Sequence, residues 1–219
     1  MKKAVILLSG GLDSTTCMSI ADKEGYELYP ISFDYGQRHT RELEAAKSVA
    51  KFYQVNEHRI FHIDNVGGSA LTDPSIQVPE FKEDGEIPVT YVPARNILFL
   101  SYALGYAEVV GAEAIYIGIS SVDYSGYPDC RPEFLEAFQK VAMVGTKMGV
   151  QGQPIQIKAP LIQLSKADTI RLAIQNGAPL HLSTSCYRGG EKACGTCDSC
   201  TLRLRGFAEA GINDLIDYY

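Results

Sequence analysis

No apolar run in this sequence approaches the ~18–20 residues that a membrane-crossing helix needs, so a helical membrane protein is not expected. The basic start, Met1-Lys2-Lys3, leads into only five apolar residues before Ser9-Gly10-Gly11. That is short of the ~7–15 residues of a signal h-region, and the expected location is the cytoplasm. An excess of basic charge is also lacking. Lys and Arg number 20 against 26 Asp and Glu, a net charge of −6, which argues against a tight non-specific nucleic-acid binder. Internal repeats, low-complexity tracts and linkers are absent. The cysteines are not spread as in a secreted disulfide scaffold, because four of the six fall within residues 186–200; a cytosolic chain with such a cluster is usually binding metal. What remains is an ordinary globular composition, 46% hydrophobic and 21% charged over 219 residues. That length suits one α/β domain with a sizeable core.

Apolar stretches alternate with amphipathic ones through the N-terminal half. KAVILL (3–8) is apolar on both faces and reads as a buried parallel strand. Helix 14–24, strand 27–34, helix 40–54 and strand 58–63 follow, with Leu43, Ala46, Val49 and Ala50 on one helical face. Residues 64–94 lose the rhythm and read as a long functional loop. Helix 95–111, strand 114–119, a loop at 120–131, helix 132–148, strand 155–159, helix 165–176 and a short helix near 200–210 complete the pattern. Such alternation implies βαβ units and an open parallel sheet with helices on both faces. We expect a main domain over 1–180 and a cysteine-bearing segment over 181–219, packed as part of the same domain.

The first strand runs into Ser9-Gly10-Gly11-Leu12-Asp13-Ser14-Thr15, and a helix follows. In an open parallel sheet, ligands bind beyond the carboxyl ends of the strands. Adjacent glycines let the backbone bring several N–H groups near an anion, and the helix N-terminus adds to the attraction. The loop is not a Walker A motif, since no Gly-Lys-Ser/Thr is present, and G-x-G-x-x-G lacks its third glycine. Asp13 is the odd residue, because a carboxylate repels phosphate unless a cation such as Mg2+ intervenes. The plainer reading is a tight turn in which Asp13 or Ser14 caps the helix.

The cysteines are spaced Cys186-x7-Cys194-x2-Cys197-x2-Cys200. Four thiolates complete a tetrahedron around zinc, and such a closed site is structural. An iron–sulfur cluster is the competing reading, although the sequence has no Cys-Pro ending and its first ligand is remote. Three further strings lie at the carboxyl edge of the expected sheet: FDYGQRH (33–39), VPARN (92–96) and SSVDYSGYPDCR (120–131). Each alone is a polar loop. Together they suggest a pocket, in which Arg95 reaches an anion. Cys130 lies near this chemistry and has three readings there: covalent, recognition or packing.

SGGLDST resembles the pyrophosphatase loop of the ATP pyrophosphatase (PP-loop) family, whose members adenylate a substrate oxygen on a Rossmann-like sheet. Together with FDYGQRH, VPARN, SGYPDCRPEF (125–134), LSKAD (164–168) and the 186–200 cysteines, it resembles the 7-cyano-7-deazaguanine synthases of the queuosine-precursor pathway. The likeness covers nearly the whole chain. It implies a ligase that joins 7-carboxy-7-deazaguanine and ammonia at the cost of two ATP, with Mg2+ and Zn2+, as a homodimer that binds neither nucleic acid nor membrane. The ATP contacts implied are Leu8, Ser9, Gly10, Gly11, Leu12, Asp13, Ser14, Thr15, Thr16, Cys17 and Met18. Asp13, Arg95 and Lys166 are the expected catalytic groups. Tyr35, Gln37, Asp123, Tyr127, Asp129 and Arg131 are expected at the substrate, and Cys186, Cys194, Cys197 and Cys200 at the metal. An ATP-dependent tRNA-modifying enzyme shares the loop and is the alternative; a non-catalytic nucleotide sensor would leave Asp13, Lys166 and 125–134 unexplained.

Overall fold

A computed structural model describes residues 2–38, 40–64, 67–79, 87–120 and 127–219. The apolar stretches become parallel strands β1 (Lys3–Leu7), β2 (Glu27–Asp34), β3 (Arg59–His62), β4 (Ala114–Tyr116) and β5 (Gln156–Lys158). They form one five-stranded sheet in the order β3-β2-β1-β4-β5, with Val5 opposite both Tyr29 and Ile115. The chain winds outward from β1 in one direction and, after β3, returns to the other side at β4. That reversal opens a crevice beyond the carboxyl ends of β1 and β4, where ligands of doubly wound sheets bind.

Period-two alternation divides β1 between the two faces of the sheet. Val5 and Leu7 join Ile31, Phe33 and Ile115 under Leu100 and Ala103 of α3 (Arg95–Val110). Ala4 and Ile6 face the other way, against Cys17 and Met18 of α1 (Leu12–Lys23) and Ala46 and Val49 of α2 (Arg41–Phe52). Helices α4 (Pro132–Gly145) and α5 (Lys147–Val150) lead into β5, followed by α6 (Lys166–Gln175) and α7 (Asp198–Ala210). The fold is the expected Rossmann-like α/β sheet with helices on both faces. No helix among the described residues is long and apolar enough to cross a membrane.

The elements differ from expectation at three points, each with a local cause. The single helix expected over 132–148 is interrupted at Thr146, whose backbone is extended. The Thr146 hydroxyl donates to the Ala142 carbonyl (2.7 Å) and accepts from the Gly149 N–H (2.9 Å), closing α4 and opening α5. Strand β4 stops at Tyr116, because Ile117, Gly118 and Ile119 turn to line a cavity. Helix α1 begins at Leu12 rather than Ser14, since extended Gly11 is already its N-cap.

The C-terminal segment is tied to the glycine-rich loop at its start and knotted internally around Arg203. The Thr184 N–H donates to the Gly10 carbonyl at 2.9 Å. Buried Arg203 of α7 donates to both oxygens of Asp214 (2.7 and 2.8 Å), to Ser183 Oγ and to the Leu180 carbonyl. Tyr218 donates to the same carboxylate at 2.6 Å. A buried charge pair needs this degree of satisfaction to offset its desolvation. Helices α6 and α7 cross closely at Gly206, where an added Cβ would stand 2.4 Å from Lys166 Cγ and 2.9 Å from its Cβ. Gly206→Ala is expected to lose a net ~1–2 kcal/mol, because overpacking outweighs the gain in helix propensity. Urea denaturation measures this, and an unchanged midpoint would mean that α6 yields without cost.

Candidate active site

The glycine-rich loop is held open by its neighbours. Gly10 has φ +87°, and a Cβ there would lie 2.2 Å from the Glu42 carbonyl oxygen and 2.6 Å from the Ala46 nitrogen. Only glycine allows this approach of the loop to α2. Ser9 Oγ accepts from the Gly11 N–H (3.2 Å) and lies 3.0 Å from Ser14 Oγ, which fixes the turn from within. Asp13 stands in the first turn of α1. Lys166 Nζ, from the first residue of α6, donates to both of its oxygens at 2.9 and 3.0 Å. The α6 start is set by Ser165, whose hydroxyl accepts from the Asp168 N–H at 3.0 Å. A capping serine therefore places the lysine.

A cavity of about 290 Å³ opens over this loop. Leu8, Ser9, Gly11, Leu12, Asp13 and Ser14 line it, as do Lys166, Arg95, Tyr35, Gln37 and Tyr127. All three expected catalytic residues therefore share one cavity with three of the expected substrate residues. Thr15, Thr16, Cys17 and Met18 are buried behind the loop against the sheet, and Gly10 packs on α2. Thr15 Oγ1 is buried without a hydrogen-bond partner among the described residues. Gln37 closes its own loop, accepting from the Tyr35 N–H (2.9 Å) and donating to the Phe33 carbonyl (3.2 Å).

Arg95 opens α3 after Ala94, which has left-handed backbone at φ 56°. That conformation costs a non-glycine residue of order 1 kcal/mol and often marks a functional turn. Burial lowers the Arg95 guanidinium's pKa, but the oxygens of Tyr35 and Tyr127, a hydrogen bond to Tyr35 and the nearby Tyr187 outweigh that effect and raise it overall. Arg95 is a permanent cation in a wall of tyrosines. Tyr127 is itself held by Thr90 Oγ1 at 2.9 Å. Phe33 and Phe99 stack at 4.1 Å beside Tyr35 and give this end of the cavity a flat apolar wall.

Two expected substrate residues lie elsewhere. The buried Asp129 carboxylate accepts from the Asn96 N–H at 3.0 Å and so caps the start of α3. Arg131 is the exposed N-cap position of α4. Neither belongs to the cavity lining. Asp123 falls outside the described residues. Cys130 does line the cavity, with Asn96 Nδ2 at 3.4 Å from its sulfur. Burial, with the adjacent Asp129 carboxylate, pushes its thiol up to about 12. It is protonated at neutral pH, which does not favour a nucleophilic role.

Sequence reasoning passed over Glu42. It sits in the first turn of α2, where an acidic residue ordinarily just complements the helix dipole. Here its side chain lines the cavity. Burial pushes its carboxyl up to about 7 despite the opposing effect of Arg95, and Cys186 adds to the rise. Its position four residues after Arg38, at the end of the FDYGQRH loop, was the available signal.

The four cysteines converge. One sulfur from each of Cys186, Cys194, Cys197 and Cys200 lies within 4.8 Å of all the others, and Cys194 and Cys200 sulfurs are 3.8 Å apart. Metal–sulfur bonds of ~2.3 Å in a tetrahedron require sulfur–sulfur edges of about that length. Hydrogen bonds among the thiols, from Cys197 above all, draw Cys186 well below the ordinary range, while bonding with Cys186 pushes Cys200 up. The Cys194 sulfur accepts N–H bonds from Thr196 (3.5 Å) and Cys197 (3.3 Å), as metal-bound thiolates commonly do. The group can hold a metal, and its closed shell leaves no open position for substrate. Elemental analysis is expected to find one ion per chain, and Cys200→Ser is expected to lose it together with several kcal/mol of stability. Retained metal in that variant would break the assignment.

The comparisons with known proteins agree with this geometry. The family model for "Queuosine biosynthesis protein QueC" matches residues 3–211. The chain is 81% identical over 218 residues to 7-cyano-7-deazaguanine synthase 2 of Desulfitobacterium hafniense (strain Y51), covering all of this chain and 94% of that one. It is 69% identical to the 7-cyano-7-deazaguanine synthase of Acetivibrio thermocellus, covering 100% and 98%. The same enzyme of Legionella pneumophila (strain Corby) is 58% identical, with 100% and 97% covered. Two solved structures share the fold at low identity. NMN synthetase of Francisella tularensis has a TM-score of 0.52 at 15% identity, with 97% of this chain and 78% of that one covered. A 4-thiouridine synthetase–RNA complex with bound ATP gives 0.54 at 19%, covering 94% and 53%. By the match across nearly its whole length and these full-length relatives, the chain belongs to the Queuosine biosynthesis protein QueC family.

Proposed function

We propose that this protein is an ATP-using carbon–nitrogen ligase that converts 7-carboxy-7-deazaguanine and ammonia to 7-cyano-7-deazaguanine. The observation that carries the reading is the single cavity that joins an anion-binding loop, a Lys166–Asp13 pair and the Arg95–tyrosine wall. The names of the full-length relatives supply the substrate class. A carboxylate oxygen is a poor leaving group, which is why the reaction needs activation. The carboxylate attacks the α-phosphorus of ATP, giving an acyl adenylate and pyrophosphate. Ammonia displaces AMP to leave a primary amide and a proton. A second ATP adenylates the amide oxygen with release of pyrophosphate, and loss of AMP and protons from the nitrogen leaves the nitrile.

Each group of this chain has a task in that scheme. N–H groups of the 9–15 loop and the N-terminus of α1 receive the β- and γ-phosphates. Lys166 turns from Asp13 toward the departing pyrophosphate and neutralises charge as it develops. The Arg95 fork takes the substrate carboxylate or the α-phosphate, while the aromatic wall receives the deazapurine. Asp13 is the residue that would hold Mg2+, which screens the triphosphate when bound. The cysteines take zinc in a structural role, with residues 1–180 as the catalytic domain and 181–219 as the metal-binding segment. A cluster of free thiols suits the reducing cytoplasm.

Apolar side chains are exposed along α3, at Leu98, Tyr102 and Val109, and near the end of α4, at Val141 and Val144. An apolar surface of this kind marks an interface, and a homodimer suits it. Val109→Glu is expected to shift the protein toward monomer in light scattering; an unchanged mass would move the interface off α3. Pyrophosphate exchange into ATP tests the activity itself. It is expected to depend on 7-carboxy-7-deazaguanine and to fall by about 10²–10³ in Lys166→Ala, the scale of a lost electrostatic stabiliser. Exchange that requires tRNA instead would replace this reading with an RNA-modifying one.

A further inference from the structure

Six charged side chains among the described residues line the cavity: Asp13, Arg38, Glu42, Arg95, Lys166 and Arg203. Asp13 is paired with Lys166 and Arg203 with Asp214, and Arg38 donates to the Pro74 carbonyl at 2.9 Å. The Glu42 carboxylate makes no ion pair or hydrogen bond among the described residues. Titratable groups face it from three elements: the Arg95 cation at the start of α3, the neutral Tyr35 phenol beyond β2, and Cys186 in the C-terminal segment. The triphosphate and the substrate carboxylate are both anions, and the loop N–H groups, Lys166 and Arg95 suit them. An unpaired carboxylate repels both. Its presence calls for a cationic ligand.

Resting on the synthase reading above, we propose that Glu42 binds ammonium in the cavity and takes its proton, releasing ammonia to the acyl adenylate. Ammonium has no lone pair, so it cannot attack carbon until it is deprotonated. Proton transfer from ammonium to the Glu42 carboxylate gives neutral ammonia and a neutral carboxyl group. The ammonia nitrogen then bonds to the acyl carbon as the bond from that carbon to the AMP oxygen breaks. AMP leaves with the electron pair, and the nitrogen releases one proton to leave the amide. Asp13 is poorly suited to the task, because it pairs with Lys166 in this structure and is the residue that would hold Mg2+ in the reading above. Burial has already brought Glu42 to about 7, so it can both accept and return a proton near neutral pH.

Glu42→Gln keeps the size of the side chain and removes its charge and basicity. The ammonium KM is expected to rise about 10- to 100-fold, the loss of one charge-assisted contact. The deazapurine KM, read in pyrophosphate exchange without ammonium, stays within about twofold. Hydroxylamine is uncharged at neutral pH and needs neither the cation site nor the base, so hydroxamate formation recovers most of the lost rate. A urea midpoint at pH 8 no lower than wild type excludes unfolding as the cause. An unchanged ammonium KM, or an equal deficit with hydroxylamine, overturns the proposal. A deazapurine KM raised in exchange also overturns it and moves Glu42 to the purine edge; a raised Mg2+ requirement overturns it in favour of metal binding. Absence of deazapurine-dependent exchange in the wild-type protein is a different result: it rejects the synthase reading before ammonium is added.

Discussion

The site is organised around the ion pair between Lys166 and Asp13. A carboxylate in the first turn of α1 is favourable for the helix dipole but hostile to a phosphate that would use the same N-terminus. Lys166 reconciles the two. Its ammonium covers both Asp13 oxygens, with side-chain exposures of 15% and 31%, so the pair is sheltered yet reachable from the cavity. Such a pair is weakly stabilising in itself. In the proposed reaction its value lies in placing a cation on a flexible stem beside the loop. Lysine suits this better than arginine, since a compact ammonium on a flexible stem can swing between partners.

That placement reaches back to the cysteines. Lys166 is the first residue of α6, and α6 is pressed on α7 at Gly206 with no room for a methyl group. Helix α7 begins immediately after Cys197 and carries Cys200 in its first turn. A metal held by the cysteines would therefore fix the start of the helix against which the lysine-bearing helix is seated. The Arg203–Asp214–Tyr218 knot secures the other side of α7, and the Thr184–Gly10 bond ties the same segment to the phosphate loop. A closed metal site can thus support chemistry that it never touches.

Much of this was legible in the sequence, for reasons that can be named. Buried parallel strands are apolar on both faces, so KAVILL could be read directly, and the rim loops followed from the direction of the strands. The cysteine spacing pointed to one metal-binding group, with zinc favoured over an iron–sulfur cluster. Misplacement came where side chains turn inward to serve the backbone. Asp129, in the most specific string of the chain, gives its carboxylate to the Asn96 N–H, and no linear pattern distinguishes a capping aspartate from a ligand-binding one. Glu42 went unread for the opposite reason: an acid in a first helical turn has an ordinary explanation, and only the fold shows it lining the cavity. Thr146 broke a periodic helix through one hydroxyl bonded in both directions.

Features that local rules disfavour occur at and beside the cavity. Ala94 is left-handed, Arg95 is a cation among tyrosines, and Glu42 is a carboxylate raised to about 7. Burial works against both charges; the tyrosine oxygens and a hydrogen bond to Tyr35 offset it at Arg95, whereas at Glu42 the opposing effect of Arg95 is too small to do so. Other surroundings of the cavity are conventional, with a capped helix at Ser165 and satisfied charges at Arg203. A contrast of this kind follows from what the cavity must accept. A preorganised site has to keep its charges uncompensated until the ligand arrives, because groups already neutralised by the protein contribute little to a transition state. The surrounding scaffold is therefore most completely bonded next to the places where the site is least so.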